Sequence, residues 1–325
     1  MAQQIELKNR VKESQLGQRL DQAISELFSE YSRSRHKEWL LKGNVFVDGV
    51  VATKPRLKVM GGEEILIQAE LEDEERWEPQ DLPLEIVYED EDLLVINKPR
   101  GFVVHPGAGT PDNTVLNALL FHYPEIAEVP RAGIVHRLDK DTTGLMVVAK
   151  NVPTQTRLVR ALQKRKITRE YEAIAIGKMT AGGMVEKPIG RHTTKRTLMA
   201  VNELGKPAVT HYRVAEHFRE HTRIRLRLET GRTHQIRVHM SYLQHPLLGD
   251  IAYGGRARIP KGASEELTNM IRAFDRQALH AVMLKFDHPT TGEEVKCHAP
   301  IPDDMVIMTE ALREDMKQNN EDDYL

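Results

Sequence analysis

The stretch GIVHRLDKDTTGLMVVAK, residues 133–150, sets a polar cluster between two apolar strands. The cluster holds His136, Arg137, Asp139, Lys140, Asp141, Thr142 and Thr143. Polar loops held between rigid elements are where binding and catalytic groups concentrate. Outward from it, LLVINKP (93–99) and YEAIAIG (171–177) are also strand-like, whereas TQTRLVRALQKRK (154–166) puts Leu158, Val159 and Leu162 on one side of a helix. Strands and helices mix without a repeating βαβ period, so the expected class is α+β rather than a doubly wound sheet.

Toward the N-terminus, Leu20, Ala23, Ile24 and Leu27 fall at helical spacing within Leu16–Tyr31, and Ser34 is placed to cap a second helix that stops at Gly43. The run NVFVDGVVATKPRLKV (44–59) then alternates around Asp48-Gly49, a two-residue hairpin signal. Residues 15–75 therefore read as a helix-helix-hairpin module. The acidic stretch Glu70–Asp92, with Pro79 and Pro83, reads as a boundary whose linker lies near 71–82. A larger mixed domain is expected over 83–305, and an acidic tail without an assignable motif over 306–325.

A chain of 325 residues with 40% hydrophobic and 29% charged residues has globular composition, and at that length roughly 75% of the unfolded surface can be buried. No apolar run approaches the ~18–20 residues that span a bilayer, and MAQQIELKNR lacks the apolar segment of a signal peptide, so a cytosolic location is expected. The single cysteine, Cys297, excludes an internal disulfide and offers no paired thiolates for zinc; it reads as a small strand residue.

The net charge of −2 conceals an uneven distribution: +2 over residues 1–69, −11 over 70–96, +13 over 97–300 and −6 over 301–325. A basic body flanked by acidic segments fits a polyanion binder, although a soluble enzyme can share the pattern. Arg33, Arg35, Lys37 and Lys42 on the second helix can contact phosphates or simply keep an exposed helix soluble.

In TRIRLRLETG (222–231), Ile224, Leu226 and Leu228 alternate with Arg223, Arg225 and Arg227. Exposed sheet faces usually mix both signs of charge, and the absence of acid between Arg223 and Arg227 favours RNA. Thr233 is placed to cap a helix through HQIRVHMSYL (234–243), with Arg237 in its first turn and His245-Pro246 ending it. Asp139 has two readings, a turn carboxylate holding backbone amides or a reactive group. His136, His234 and His239 invite a metal reading that no HExxH or paired-acid pattern supports. GAG (107–109) is only a fragment of a phosphate loop, and no Walker or dinucleotide fingerprint is present.

Taken together, HRLDKDTTG (136–144), REYEA (169–173), LETGRTHQIRVH (228–239) and LHAVMLKFDHP (279–289) resemble the RluA family of pseudouridine synthases. The likeness covers about residues 15–300, since INKPRGFVVHPG (96–107) resembles the family's first catalytic segment and the N-terminal module is similar to an S4 RNA-binding domain. Thr143 departs from the more usual serine but keeps the hydroxyl. The resemblance implies a mainly antiparallel sheet and isomerisation of uridine within large-subunit ribosomal RNA, with the helix 69 stem-loop as the expected target. It further implies Asp139 as the catalytic carboxylate, Arg237 as its basic partner, Tyr171 as the ring that stacks on the detached base, and Arg137 as the residue that fills the space an extruded nucleotide leaves.

Such chemistry needs a carboxylate as nucleophile or charge stabiliser and no redox carrier, so no cofactor, metal, membrane or obligate protein partner is expected. A non-catalytic RNA-binding or ribosome-assembly factor would share the module and the charge pattern, and product formation separates the two. A base-excising glycosidase would instead release free uracil.

Overall fold

The computed structural model describes residues 3–28, 31, 33–71, 77–107, 109–254 and 257–322. The chain divides into two compact units, 1–76 and 77–325. The first holds β1 (Gln3–Arg10), α1 (Leu20–Leu27), α2 (Arg33–Lys42), β2 (Val45–Val47), β3 (Val50–Val51) and β4 (Glu64–Leu71). The second holds β5 (Glu85–Glu89), β6 (Leu93–Lys98), α3 (Val115–His122), β7 (Thr143–Ala149), α4 (Val152–Gln163), β8 (Thr168–Ile176), β9 (Gly183–Glu186), β10 (Ile189–Arg191), β11 (Met199–Val201), β12 (Val209–His217), β13 (His221–Leu228), α5 (Gln235–Tyr242), α6 (Ile251–Gly254), α7 (Glu265–Ala273), β14 (Leu279–Asp287), β15 (Glu294–His298) and α8 (Asp303–Asp322).

In the first unit the sheet order is β1-β4-β2-β3. Asp48 and Gly49 both take positive φ, 48° and 79°, as a tight hairpin turn between twisted strands requires. The expected helices and hairpin are present, with two differences. The alternation beyond Val51 is not a strand, because β2 pairs with β4 on its other side (Val45↔Ile67) and β3 is only two residues long. The unit also begins before residue 15: β1 runs antiparallel to β4 from Gln3↔Leu71 to Arg10↔Glu64, a pairing across more than fifty residues of sequence. Leu20, Ile24, Trp39, Leu40, Ile65 and Ile67 close its core. Ser34 lies inside the first turn of α2 rather than ahead of it. Residues 72–76 of the expected linker lie outside the described residues, as does Ala108 of GAG.

The second unit is built on a nine-stranded sheet ordered β5-β6-β7-β14-β8-β13-β12-β9, with β15 on β14. All pairings are antiparallel except β14 with β7 (His280↔Thr143, Ala281↔Gly144). That mostly antiparallel sheet with helices against it is the expected α+β class. The parallel contact requires Gly144: its φ is 114°, and a Cβ there would fall 2.3 Å from the Ala281 carbonyl oxygen. Leu94, Ile96, Met146, Val148, Ala173 and Leu226 form the core on the side that faces α3 and α5. Cys297 is a buried strand residue, as expected.

The segment set apart as an acidic tail is not detached. It continues α8, whose Met305, Met308 and Leu312 are buried against Ile174, Phe218, Leu267 and Ile271. The charge run dominates the sequence, yet the helix hides an apolar stripe of about a third of its circumference.

Candidate active site

The turn between Leu138 and Thr143 carries Asp139 to the start of β7. The apolar stretch before it, expected as a strand, makes only an isolated bridge between Ile134 and Val148, because the chain there runs on as loop. Asp139 accepts the Thr142 amide through its own backbone carbonyl at 3.1 Å. Its carboxylate goes elsewhere: Arg237 Nη1 donates to Oδ2 at 3.0 Å. Of the two sequence readings, the turn-capping carboxylate is therefore not the observed one. Four side chains from other elements hold this turn. Lys98 Nζ donates to the carbonyls of Pro99, Phe102 and Lys140 at 2.9, 3.0 and 2.9 Å. Gln277 donates to Thr142 Oγ1 at 3.0 Å, Thr143 Oγ1 lies 2.8 Å from His280 Nδ1, and Arg276 Nη1 donates to the Asp141 carbonyl at 3.2 Å. Arg276 is in turn held by Asp304 at the start of α8, so the C-terminal helix supports the turn that carries Asp139.

Lys98 is fully buried, and burial pushes its ammonium down to about 7. Its three carbonyl acceptors match the three hydrogens of the charged form, which fixes the turn from beneath.

Arg237 lies in the first turn of α5, as expected, but Thr233 does not cap that helix. His234 occupies the N-cap position in a left-handed conformation (φ 54°), and Gln235 Oε1 accepts the Arg232 amide at 3.0 Å. The left-handed residue turns His234 toward the cleft, with Nε2 3.8 Å from Asp139 Oδ1 and Nδ1 2.7 Å from the Tyr253 hydroxyl. The Tyr253 hydroxyl accepts the Met199 amide and has its own hydrogen left for His234 Nδ1. Burial lowers the His234 pKa despite the attraction of Asp139. Tyr253 also lies under the Arg237 guanidinium, 4.9 Å from ring centroid to Cζ.

Arg237 is committed on its other side. Nε and Nη2 donate to Asp250 Oδ2 and Oδ1 at 2.7 and 2.9 Å, a two-pronged pair. Burial disfavours the Arg237 cation, but the carboxylates of Asp250 and Asp139 outweigh it and the pKa is raised. Asp250 was not legible in the sequence: thirteen residues separate it from Arg237, and nothing in LLGD announces an ion pair.

Tyr171 is the fourth residue of β8, opposite Leu226 on β13, with its side chain buried and bordering the same cleft. Burial raises its hydroxyl pKa. The cleft has a volume of about 590 Å³, within the usual range for small-molecule sites, and is bordered by Arg137, Asp139, Arg169, Tyr171, His234 and Arg237. The structure thus brings together Asp139, Tyr171, Arg237 and the exposed Arg137. His239 faces away, bonded to Thr210 Oγ1 and the Lys187 carbonyl at 2.9 Å each, so it does not converge with His136 and His234.

The arginine strand face departs from expectation. Arg223 pairs with Glu172 at 2.8 Å and Glu216 at 3.1 Å, and Arg225 approaches Glu172 at 3.5 Å. The acid missing between Arg223 and Arg227 in sequence comes from neighbouring strands: β8 puts Glu172 opposite Arg225, and β12 puts Glu216 opposite Arg223. Arg227 remains exposed. On α2, Lys42 pairs with Glu38 at 2.8 Å, Lys37 is exposed and Arg35 half-buried, while the side chain of Arg33 lies outside the described residues.

Residues 92–242 match the model of the RNA pseudouridylate synthase family, and residues 18–65 match the S4 domain. The chain is 83% identical over 318 residues, 98% of each chain, to the ribosomal large subunit pseudouridine synthase D of Vibrio parahaemolyticus. It is 66% identical over 322 residues, 99% of each chain, to the protein of that name from Escherichia coli strain K12. Among solved structures it is similar to human RNA pseudouridylate synthase domain containing 4, with 26% identity and a TM-score of 0.56, covering 70% of this chain and 93% of the other. Human RNA pseudouridylate synthase domain containing 1 gives 27% identity and a TM-score of 0.52, covering 72% and 96%.

Proposed function

The chain belongs to the RNA pseudouridine synthase family, and we propose that it converts specific uridines of large-subunit ribosomal RNA to pseudouridine, with the helix 69 stem-loop as its target. The observation that carries the proposal is the contact between Arg237 and Asp139 on the wall of a cleft that Tyr171 also borders. The reaction breaks the bond from ribose C1′ to uracil N1 and forms one from C1′ to C5. C5 loses a proton and N1 gains one, so substrate and product are isomers and no electrons are exchanged.

In this reading Asp139 supplies the carboxylate that attacks or stabilises the reacting nucleotide. Arg237, anchored by Asp250, holds that carboxylate in place and supplies positive charge beside it. The buried ring of Tyr171 offers a face on which the detached base can stack. Arg137, exposed at the cleft, is placed to occupy the gap in the RNA. Because the ribose must recombine with the base and not with water, the depth of the cleft is part of the chemistry.

The S4-like unit contributes affinity through basic residues of α2, and Arg227 and Arg225 add phosphate contacts on the sheet face. In this reading the enzyme works in the cytoplasm, on ribosomal RNA or a large-subunit precursor particle. Pseudouridine mapping of ribosomal RNA from cells with and without this gene tests reaction and address together. Loss of pseudouridine in helix 69 is expected; an unchanged map removes the substrate assignment.

A further inference from the structure

Two residues that border the cleft, Arg169 and His136, each carry a buried hydrogen-bond donor with no acceptor among the described residues. Arg169 is 7% exposed, and its Nε has no hydrogen-bond partner among the described residues. It stands two residues before Tyr171 on β8, so both side chains leave the same face of the strand and border the same cleft. Its guanidinium lies against Gly231, where a Cβ would come within 2.8 Å of Nη1. Glycine at that position is what leaves room for the arginine.

His136 is the second donor. Its Nε2 accepts the Val147 backbone amide at 3.1 Å, and a ring nitrogen that accepts an N–H carries no hydrogen itself. The hydrogen of the neutral ring is therefore on Nδ1, which is closed to solvent and without a partner among the described residues. Burial, and then the charge of Arg169, push the His136 pKa down to about 3, so the ring stays neutral and Nδ1 remains a donor at physiological pH. A buried donor left unpaired costs about 1–3 kcal/mol, and two in one cleft mark a place for an acceptor from outside the chain.

We propose that Arg169, supported by His136, is the receptor for a carbonyl oxygen of the target uracil and stabilises the base as it leaves the ribose. The inference rests on the uridine reading above and names how that base is held. When C1′–N1 breaks, the electron pair stays with uracil and the negative charge spreads from N1 onto its carbonyl oxygens. A guanidinium beside one of them stabilises the departing base more than the bound substrate, which lowers the barrier and not only the dissociation constant. A phosphate is the weaker candidate for this position. Phosphates lie on the RNA backbone at the cleft mouth, whereas Arg169 sits on the sheet beside the ring that the base would stack on, and the base is the part of the nucleotide that enters deepest.

The test uses the full-length protein and a large-subunit ribosomal RNA hairpin carrying the target as uridine, 2-thiouridine or 4-thiouridine, since sulfur accepts hydrogen bonds poorly. With wild-type protein one of the two thio hairpins should isomerise about tenfold more slowly than the uridine hairpin in single turnover. In Arg169→Met the uridine rate should fall about a hundredfold, with affinity for the hairpin nearly unchanged, and the difference between thio and uridine hairpins should vanish. Arg169→Lys should recover part of the rate. Equal wild-type rates on all three hairpins overturn the proposal whatever the variants do. So does an Arg169→Met protein that turns over normally but binds more weakly with a shallower salt dependence, which would make Arg169 a phosphate contact. Failure of wild-type protein on the uridine hairpin itself would overturn the substrate reading instead, and the proposal with it.

Discussion

Arg237 gives Asp139 only one of its three guanidinium nitrogens, at 3.0 Å, because the other two are bound to the buried carboxylate of Asp250. Asp139 is thus held by an arginine that cannot turn away. A planar donor set clamped on one edge presents the other at a fixed angle, which is the arrangement a reacting carboxylate needs.

Asp250→Asn should keep the fold while loosening that clamp. The amide can accept only one of the two hydrogen bonds, and single-turnover isomerisation should fall roughly tenfold to a hundredfold, the usual effect of removing a group that orients a reactive one from behind. RNA affinity should be unchanged. Asp250→Ala leaves Arg237 buried with half its partners gone and should also lower stability by about 3–5 kcal/mol, read by denaturant unfolding. Full activity in both variants would show that Arg237 needs no anchor.

Asp139→Asn should abolish isomerisation and leave hairpin affinity and thermal unfolding nearly as in wild type, because the amide keeps the shape but is not an ionised nucleophile. Single-turnover assays beside binding titrations check it. Substantial turnover by the variant would remove Asp139 from the chemistry.

Arg237→Lys keeps the charge and should still be severely impaired, since an ammonium cannot span Asp250 with two donors and reach Asp139 with a third in one plane. A near-normal chemical rate would reduce Arg237 to a general source of positive charge.

His221 is wholly buried at the start of β13, with both ring nitrogens unpartnered among the described residues, and burial lowers its pKa from 6.5 to about 4. The unfolded chain therefore takes up a proton below pH 6.5 that the folded chain refuses until about pH 4. Stability linked to this residue is complete above 6.5 and is lost as the pH falls toward 4, by roughly 3 kcal/mol. Denaturant unfolding of wild type and His221→Leu at pH 7 and pH 4 should show a smaller acid loss in the variant. Equal losses would mean that His221 does not contribute to the acid sensitivity.

A chain beginning at Trp77 should retain isomerisation at high hairpin concentration but bind more weakly and choose sites less well. Each phosphate that is no longer engaged once the first unit is removed should lower the salt slope of log K by roughly 0.7–0.9. If affinity, salt slope and site choice are all unchanged, the S4-like unit is not an RNA-binding arm on this substrate.

Much of this molecule was determined within short stretches of its sequence. Asp48-Gly49 specifies its hairpin because a two-residue turn needs positive φ at both positions, and that requirement involves no other part of the chain. The strands β6, β7 and β8 and the helix α4 follow from apolar spacing over a few residues, and the family likeness was carried by short motifs, those around Asp139, Tyr171 and Arg237 together with LHAVMLKFDHP at 279–289. What lay beyond the sequence depends on register and on contacts between distant segments. Spacing alone does not join Asp139 to Arg237, 98 residues on, and nothing local announces Asp250 as the group that holds Arg237 in place. The arginine face of β13 looked free of acid until β8 and β12 placed Glu172 and Glu216 against it, a pairing that a shift of one residue in register would abolish. The C-terminal acids likewise read as a tail until Met305, Met308 and Leu312 found a surface to bury against. Local rules act through backbone torsion and periodicity, whereas the ion pairs that form this site exist only once the folded sheet has brought the turn before β7, the helix α5 and the loop at Asp250 to one place.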